Sequence, residues 1–296
     1  MRIAHATCTP ILHSQDQFSP LKFSMPFNAH DSLICPIDGS PLLFVNNALS
    51  CSNGHQYDIG KPGYANLLSA QHKRSKAPGD SKEMVHARTA FLSDGFYDPI
   101  AFELAELVGA QTQNDLTLVD AGCGEGYYLE KIDLLTNTRL HLIGFDISKW
   151  AIQRAARRCQ GTWLVASNKR IPLADNSADI VLDMFGFPDF NAFARVLKPD
   201  GKLICVTPGN KHLIELREII YPRVKPTNAR QYPDFFSKDT QKHITYEVKL
   251  DKAALDNLLA MTPHLYRAPK EGLAELAKLE QMSMTIDVTL DVLHPA

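Results

Sequence analysis

The chain has 296 residues, 45% of them apolar and 22% charged, which suits a packed core and argues against global disorder. Its 31 lysines and arginines against 33 aspartates and glutamates give a formal net charge of −2, which excludes a wholly basic binder but allows a local basic patch. The sequence shows neither an apolar run of about 20 residues nor a secretory signal in residues 1–30. Its six cysteines are scattered, which is typical of reduced thiols, so we expect a cytoplasmic protein.

Residues 1–32 show no sustained hydrophobic period and contain three prolines and three histidines. Such a segment has too few apolar residues in register to form a helix or strand that packs on a core. We therefore expect a poorly ordered extension, with Met25 as an alternative start to Met1.

Residues 33–60 predict a small β-rich knuckle in which Cys35 and Asp38 flank one turn and Cys51 and His55 flank a second. The spacing C-x2-D and C-x3-H is that of a four-ligand zinc site, except that a full set would have cysteine at position 38. Aspartate is a harder and rarer structural ligand for zinc. Three interpretations remain: a zinc site, a knuckle that has lost its metal, and four unrelated residues.

Residues 61–98 are interpreted as a connector, and its first part concentrates positive charge. Segment 61–88 has six basic residues against two acidic ones. Such a segment suits RNA phosphates, although a solvated linker is the alternative. The candidate phosphate-binding residues are Lys73, Arg74, Lys76 and Arg88.

From residue 99 onward, short apolar strands alternate with amphipathic helices, which predicts a mostly parallel α/β sheet covered on both faces. Toward the end of the chain the period changes to two, which predicts antiparallel strands. The predicted helices are 99–109, 125–135, 149–159, 251–260 and 270–280. The predicted strands are 116–120, 140–146, 162–166, 179–184, 202–207, 243–250 and 285–292.

A glycine-rich loop follows the strand that ends at Asp120, with Gly122, Gly124 and Gly126 before a helix and Asp146 at the next strand end. The pattern lacks the Gly-Lys-Ser/Thr of a phosphate-binding loop and departs from the dinucleotide fingerprint G-x-G-x-x-G. An acidic strand end suits the two hydroxyls of a ribose. The loop resembles that of class I S-adenosylmethionine-dependent methyltransferases; a turn that binds nothing and a nicotinamide enzyme are the alternatives.

The order of the knuckle, then KPGYANLL, QHKRS and PGDS, then DAGCGEGYY resembles the RlmA family of 23S rRNA (guanine-N1)-methyltransferases, from about residue 35 to residue 221. The resemblance implies four segments: an extension (1–32), a zinc-finger-like RNA-binding module (33–60), a basic connector (61–98) and a methyltransferase domain (99–296). It implies a Rossmann-like methyltransferase sheet, the cofactors S-adenosylmethionine and Zn²⁺, 23S rRNA or a ribosomal precursor as partner, and a homodimer.

The resemblance also implies roles for single residues. The family's metal ligands match Cys35, Cys51 and His55, while Asp38 departs from the family's cysteine. The family's S-adenosylmethionine contacts match Tyr97, Gly124, Glu125 and His212, and Asp146 matches the ribose-binding acid of the wider superfamily. The glycine-rich loop adds Asp120, Gly122 and Gly126 as candidate cofactor contacts. For His212, a capping or core histidine is the alternative.

The segment DMFGFPD, residues 183–189, follows the strand after which substrate residues commonly lie. Asp183 and Asp189 are candidates to contact the guanine, although Asp189 is equally placed to cap the next helix. Phe185, Phe187 and Tyr97 are candidates to stack on the base. The alternative functions are methylation of another RNA or of a small molecule, and RNA binding without catalysis.

Overall fold

The structure is a computed structural model that describes residues 27–68, 78–113 and 115–296. Its strands are β1 (Leu43–Val45), β2 (Ala48–Ser50), β3 (Gln56–Gly60), β4 (Tyr64–Asn66), β5 (Asp115–Ala121), β6 (Arg139–Asp146), β7 (Thr162–Val165), β8 (Ala178–Met184), β9 (Leu197–Pro208), β10 (Phe236–Asp251) and β11 (Gln281–Pro295). Its helices are α1 (Lys82–Ser93), α2 (Asp98–Gly109), α3 (Tyr127–Leu135), α4 (Lys149–Arg158), α5 (Phe190–Val196), α6 (Ile214–Ile220), α7 (Lys252–Ala260), α8 (His264–Arg267) and α9 (Lys270–Ala277).

The strands form one sheet in the order β1-β2-β3-β4-β7-β6-β5-β8-β9-β11-β10. Strands β4, β7, β6, β5, β8 and β9 run parallel to one another, and β11 is antiparallel to β9 and to β10. The strand order reverses beside β5, which is where open α/β sheets bind ligands at the carboxyl ends of their strands. The predicted fold, a mostly parallel sheet with an antiparallel C-terminal end, is confirmed.

The two faces of the sheet belong to two hydrophobic clusters because successive side chains of a strand point to opposite sides. In β5, Leu116 and Leu118 pack in one cluster, with the helices α2, α3, α4, α6 and α7, and Val119 and Ala121 pack in the other. The second cluster contains α5 and, unexpectedly, apolar residues of the N-terminal knuckle. The knuckle therefore covers part of this face of the sheet.

The N-terminal knuckle is joined to the main sheet by hydrogen bonds. Strand β4 pairs with β3 on one side and, in parallel, with β7 on the other. Leu33 forms an isolated bridge with Leu173, and Leu33 and Leu49 are fully buried in the second cluster. The knuckle and the methyltransferase-like sheet thus share one core.

Residues 27–32 differ from the predicted poorly ordered extension. Phe27 is buried in the second cluster, and the Asn28 carbonyl accepts a hydrogen bond of 2.6 Å from Thr162 Oγ1. The aromatic ring and the backbone carbonyl thus fix this segment on the sheet, whereas residues 1–26 lie outside the described residues.

The segment predicted as a connector contains two elements that the sequence analysis did not assign, β4 and α1. Ser81 caps α1, because its side chain accepts a hydrogen bond from the Met84 backbone. Helix α1 packs on α7 and α4, so its position is set by contacts distant in sequence. Among the described residues, no helix has the length and apolar content needed to cross a bilayer.

Candidate functional site

The loop between β5 and α3 is shaped by its glycines. Gly122, Gly124 and Gly126 all have positive φ, at 89°, 55° and 84°, a region that favours glycine. A Cβ added at Gly122 would meet nothing within 4 Å, so open space lies above this residue. A Cβ at Gly126 would instead lie 3.0 Å from the Ala155 side chain. Gly122 thus borders this open space at the carboxyl ends of the strands, which we call the crevice. Gly126 instead lets α3 approach α4 closely.

Asp120 is the second-last residue of β5, close to the loop, and is fully buried. Neither carboxylate oxygen has a hydrogen-bond partner among the described residues. Burial, together with the negative charges of Asp183 and Asp146, raises the pKa of Asp120 well above its ordinary value. A buried carboxylate without a partner is costly, so this position suits a cationic ligand.

Asp146 ends β6, the strand next to β5, and holds the glycine loop. Its Oδ2 accepts a hydrogen bond of 3.1 Å from the Gly124 backbone, and its Oδ1 accepts one of 2.7 Å from the Ser148 backbone. Each oxygen has a second lone pair, so the carboxylate can still accept hydroxyl groups of a ribose. Ser148 caps α4, because its hydroxyl accepts a hydrogen bond from the Ala151 backbone.

Arg88, a candidate phosphate contact, lies beside the glycine loop. Its guanidinium forms an ion pair of 2.6 Å with Asp80 and donates a hydrogen bond to the Met261 carbonyl. A Cβ added at Gly124 would be 3.4 Å from Arg88 Nη1. The sequence analysis named Arg88 but did not place it beside the glycine loop, because that position depends on the packing of α1 on α7 and α4.

Glu125 is buried and forms an ion pair of 2.6 Å with Arg158 of α4. Arg158 also pairs with Glu130 of α3. Burial raises the pKa of Glu125, while the Arg158 charge opposes this effect. The Glu125 carboxylate is thus engaged between helices, and only its backbone is left to line the loop.

Three rings, those of Tyr97, Phe185 and His212, meet beside the crevice. The Phe185 and His212 rings are stacked with centroids 5.8 Å apart, and the Tyr97 hydroxyl lies 3.4 Å from His212 Nε2. His212 Nδ1 accepts a hydrogen bond of 3.3 Å from the Asp287 backbone. Burial lowers the pKa of His212 to about 4, so the ring is neutral at pH 7. Phe185 has a φ of 55°, a strained conformation that is common at functional sites.

The two candidate catalytic carboxylates have different environments. Asp189 caps α5, where its side chain accepts a hydrogen bond of 3.1 Å from the Ala192 backbone. Asp183 is fully buried near the end of β8; its Oδ2 pairs with Arg230, and its Oδ1 has no partner among the described residues. Burial raises the pKa of Asp183, opposed by Arg230. Arg230, 47 residues away in sequence, was missed by the sequence analysis.

These features fit S-adenosylmethionine. Asp120 offers an unpaired buried carboxylate for a cation, Asp146 offers acceptors for ribose hydroxyls, and Gly122 leaves open space above the loop. The structure thus brings together the candidate cofactor residues Asp120, Gly122, Gly124 and Asp146 around one loop, with the Tyr97 and His212 rings in contact with each other nearby.

The four predicted metal ligands converge. One ligand atom from each of Cys35, Asp38, Cys51 and His55 lies within 4.8 Å of the others. His55 Nδ1 is 3.5 Å from Cys35 Sγ and 3.4 Å from Cys51 Sγ, and Cys51 Sγ is 3.5 Å from Asp38 Oδ2. Zinc bonds of about 2.3 Å to sulfur and about 2.0 Å to nitrogen or oxygen place such tetrahedral ligands about 3.5 Å apart.

Asp38 is held as an ionised oxygen ligand. Its Oδ1 accepts a hydrogen bond of 2.8 Å from the Ser40 backbone, and its Oδ2 accepts one of 3.0 Å from the Asn53 amide. These hydrogen bonds lower the pKa of Asp38, first through the Ser40 backbone. The cluster fits Zn²⁺ with two sulfur, one nitrogen and one oxygen ligand, and hydrogen bonds to the carboxylate stabilise the unusual ligand.

The other candidate RNA contacts, Lys73, Arg74 and Lys76, lie outside the described residues. Of the aromatic candidates for base stacking, Tyr97 is buried and Phe187 is 86% exposed.

Comparison with known proteins gives two family matches. Residues 33–76 match the zinc ribbon family described as "RlmA, N-terminal", and residues 119–205 match the family described as "Methyltransferase domain".

Three curated relatives align along most of the chain. A Bacillus subtilis (strain 168) protein, provisionally named a 23S rRNA (guanine-N1)-methyltransferase, is 32% identical over 86% of this chain and 94% of its own length. A Micromonospora griseorubida protein with the same provisional name is 32% identical over 88% and 95%. The Streptomyces fradiae 23S rRNA (guanine(748)-N(1))-methyltransferase is 31% identical over 89% and 96%.

Proposed function

The chain belongs to the RlmA family of 23S rRNA (guanine-N1)-methyltransferases, and on that premise we propose that it methylates N1 of a guanine in a 23S rRNA hairpin. The observation that carries the proposal is the alignment with relatives of that name over almost their whole length. The unpaired Asp120 carboxylate beneath the glycine loop supports it independently, since it suits a cationic methyl donor.

The donor S-adenosylmethionine supplies a methyl group already activated by its sulfonium. We assign its cationic part to Asp120 and its ribose hydroxyls to Asp146, with Gly122 leaving room above the loop. Because the donor is activated, the protein mainly has to hold donor and acceptor in line at about 3–3.5 Å.

The acceptor atom lies on the Watson–Crick edge of guanine, so a paired guanine cannot react, and the base must be unpaired or flipped out. Its N1 proton must leave to a carboxylate, a main-chain carbonyl or water. Asp183, with one unpartnered oxygen, stays the candidate carboxylate, whereas Asp189 is occupied by its cap.

The zinc ribbon and the basic residues Lys73, Arg74 and Lys76 are proposed to hold the RNA. We also propose a homodimer, on the family resemblance, and a cytoplasmic location, which suits a ribosomal RNA substrate. Light scattering of the purified protein tests the dimer, and cell fractionation tests the location.

Two other functions compete with this proposal. A small-molecule methyltransferase has no use for a zinc ribbon that shares the core of the fold. An RNA-binding protein without catalysis has no reason to retain a buried carboxylate without a partner at the glycine loop.

The test is methyl transfer from radiolabelled S-adenosylmethionine to 23S rRNA from cells that lack the enzyme. We expect label in N1-methylguanosine, identified by mass spectrometry, and one new stop of reverse transcriptase, because the methyl group blocks pairing. RNA with adenine at the mapped position is the control and should take up no label. Tight donor binding with no label in any RNA would contradict the proposal.

A further inference from the structure

Beside the crevice, the loop of residues 185–188 presents a large apolar side chain to solvent. Phe187 is 86% exposed, although this loop directly follows β8 and its neighbour Phe185 packs on His212. Burying a phenylalanine ring is favourable, and this ring is left in solvent beside the candidate site, where it is free to contact a ligand.

A turn carrying two basic residues lies on one side of this loop. Asn168 Nδ2 donates a hydrogen bond of 2.9 Å to the Phe187 carbonyl, which fixes the turn against the loop. The turn is closed by the Arg170 backbone donating to the Ser167 carbonyl at 3.0 Å. Lys169 and Arg170, within the turn, are both exposed.

A second basic segment contacts the same loop through Arg230. We call residues 222–235 the strap; Arg230 of the strap donates a hydrogen bond of 2.9 Å to the Gly186 carbonyl and pairs with Asp183. The strap also carries Arg223 and Lys225, which are exposed.

The strap is anchored at several points. The Thr227 backbone donates to Asn210 Oδ1 at 3.0 Å, Arg217 donates to the Lys225 carbonyl, and the Tyr232 hydroxyl donates to Asp291 at 2.6 Å. These contacts hold the Lys225 backbone in place, so the basic side chains are presented from a fixed segment.

The four exposed cations have no acidic partner within the described ranges 27–68, 78–113 and 115–296. The ion pairs found there use other basic residues, including Arg195, Lys198 and Arg230 for Asp175, Asp179 and Asp183. Exposed basic residues on two segments that contact the loop of an exposed aromatic ring are the pattern that binds unpaired nucleic acid, with phosphates on the cations and a base on the ring.

We propose that the RNA strand carrying the target guanine crosses the 185–188 loop, with an unpaired base on Phe187 and its phosphates on Lys169 and Arg170 of the turn and on Arg223 and Lys225 of the strap. The inference rests on the proposed function, since it places that substrate at the same crevice. Arg230 is a positioning residue that holds the strap on the loop through Asp183 and Gly186.

The test is the affinity of the full-length protein for an unpaired 23S rRNA fragment, measured by fluorescence anisotropy over a range of salt concentrations. Each of the double variants K169Q/R170Q and R223Q/K225Q should weaken binding about tenfold. Each should also lower the slope of log K against log salt by about 1.4, because two phosphates are no longer neutralised and each contributes about 0.7 in a single strand. F187A should weaken binding about tenfold and leave the salt slope unchanged, because stacking releases no counterions.

The control R139Q/K278Q removes two exposed charges, one of them from the amino end of β6 at the opposite edge of the sheet. It should change neither affinity nor slope. Donor affinity, measured by calorimetry, should stay within threefold of the wild type in every variant, which shows that the fold is intact.

Unchanged salt slopes in both double variants, or wild-type binding by F187A, would overturn the inference. A failure of the inference about the RNA surface can be distinguished from a failure of the proposed methyltransferase function. If the wild type methylates guanine N1 while these variants bind RNA normally, only the surface is wrong. If the variants show the expected slopes but the wild type forms no N1-methylguanosine, the methylation proposal fails and the RNA surface stands.

Discussion

At the level of single residues, Asp120 is expected to reduce the stability of the free protein. Burial raises the pKa of Asp120 in the folded state. The contribution of Asp120 to the free energy of unfolding is therefore fully present below pH 3.8, where the carboxyl is protonated in both states, and it is lost as the pH rises from 3.8 through the pKa of the folded state. We predict that D120N stabilises the free protein by about 1–2 kcal/mol at pH 7 and weakens S-adenosylmethionine binding at least tenfold.

Thermal unfolding and calorimetric titration measure the two effects. D115N, at the exposed opposite end of β5, is the control and should change neither quantity by much. Wild-type donor affinity in D120N would show that Asp120 does not face the cation.

His212 should make the protein sensitive to acid. Its folded pKa of about 4 lies below the unfolded value of 6.5, so its contribution is present above pH 6.5 and is lost as pH falls from 6.5 to 4. We predict that the wild type loses about 2 kcal/mol more unfolding free energy than H212Q between pH 7 and pH 4.

Denaturant unfolding at several pH values measures this difference. H86Q, which replaces an exposed histidine on α1, should behave as the wild type. Equal acid sensitivity of H212Q and the wild type would mean that His212 does not titrate in this range.

Residue by residue, the sequence was informative where the signal is local. Asp120, Gly122 and Asp146 could be placed from the glycine pattern and the strand ends. The basic pattern of residues 61–88 marked Arg88 but not its place beside the glycine loop, and no local pattern marked Arg230, whose partner Asp183 is distant in sequence.

At the level of structural elements, Asp38 is the residue of the zinc ribbon whose substitution best tests zinc binding. Thiolate is a softer and stronger ligand for Zn²⁺ than carboxylate. We predict one Zn²⁺ per chain, at least tenfold weaker zinc binding in D38A, and tighter binding than the wild type in D38C. Competition with a chromogenic chelator measures the affinities.

D58A, which replaces an exposed aspartate of β3, is the matched control and should bind zinc as the wild type does. Folded protein without zinc under metal-replete conditions would instead favour a ribbon held by packing alone.

The basic connector allows a separate prediction about RNA. Neutralising Lys73, Arg74 and Lys76 should weaken RNA binding and lower the salt slope by about 0.7 for each phosphate that the protein no longer neutralises. Filter binding at four salt concentrations measures the slope, with K249Q/K252Q as a control distant in sequence. An unchanged slope would leave this segment as a solvated linker.

Among the elements, the strands with clear periodicity were predicted best. β5, β6 and the antiparallel pair β10 and β11 follow from apolar runs or strict alternation. β4 and α1 were not foreseen, since β4 has three residues and α1 gains its place from packing on α7.

At the level of the whole molecule, the ribbon and the methyltransferase sheet should unfold together. Leu33 is fully buried in the cluster that includes Ile143 and Phe145 of β6. We predict that L33A lowers the free energy of unfolding of the whole chain by about 2–4 kcal/mol in one transition, measured by guanidinium denaturation. L43A, in the same ribbon but at a side chain that is 66% exposed, should cost less than about 0.5 kcal/mol. Two transitions in L33A, with the second one unchanged, would contradict the shared core.

The parallel pairing of β4 with β7 has an evolutionary consequence. β7 also pairs with β6, which ends at Asp146, so a few backbone hydrogen bonds connect the zinc ribbon to the carboxylate that we assign to the ribose. Because the ribbon forms part of the sheet, it cannot be transferred between relatives as an independent domain. Chimeras joined between residues 68 and 78 should be poorly soluble unless the partners of Leu33 and Leu49 are transplanted together with the ribbon. New RNA targets are therefore expected to arise by surface substitutions on a retained ribbon.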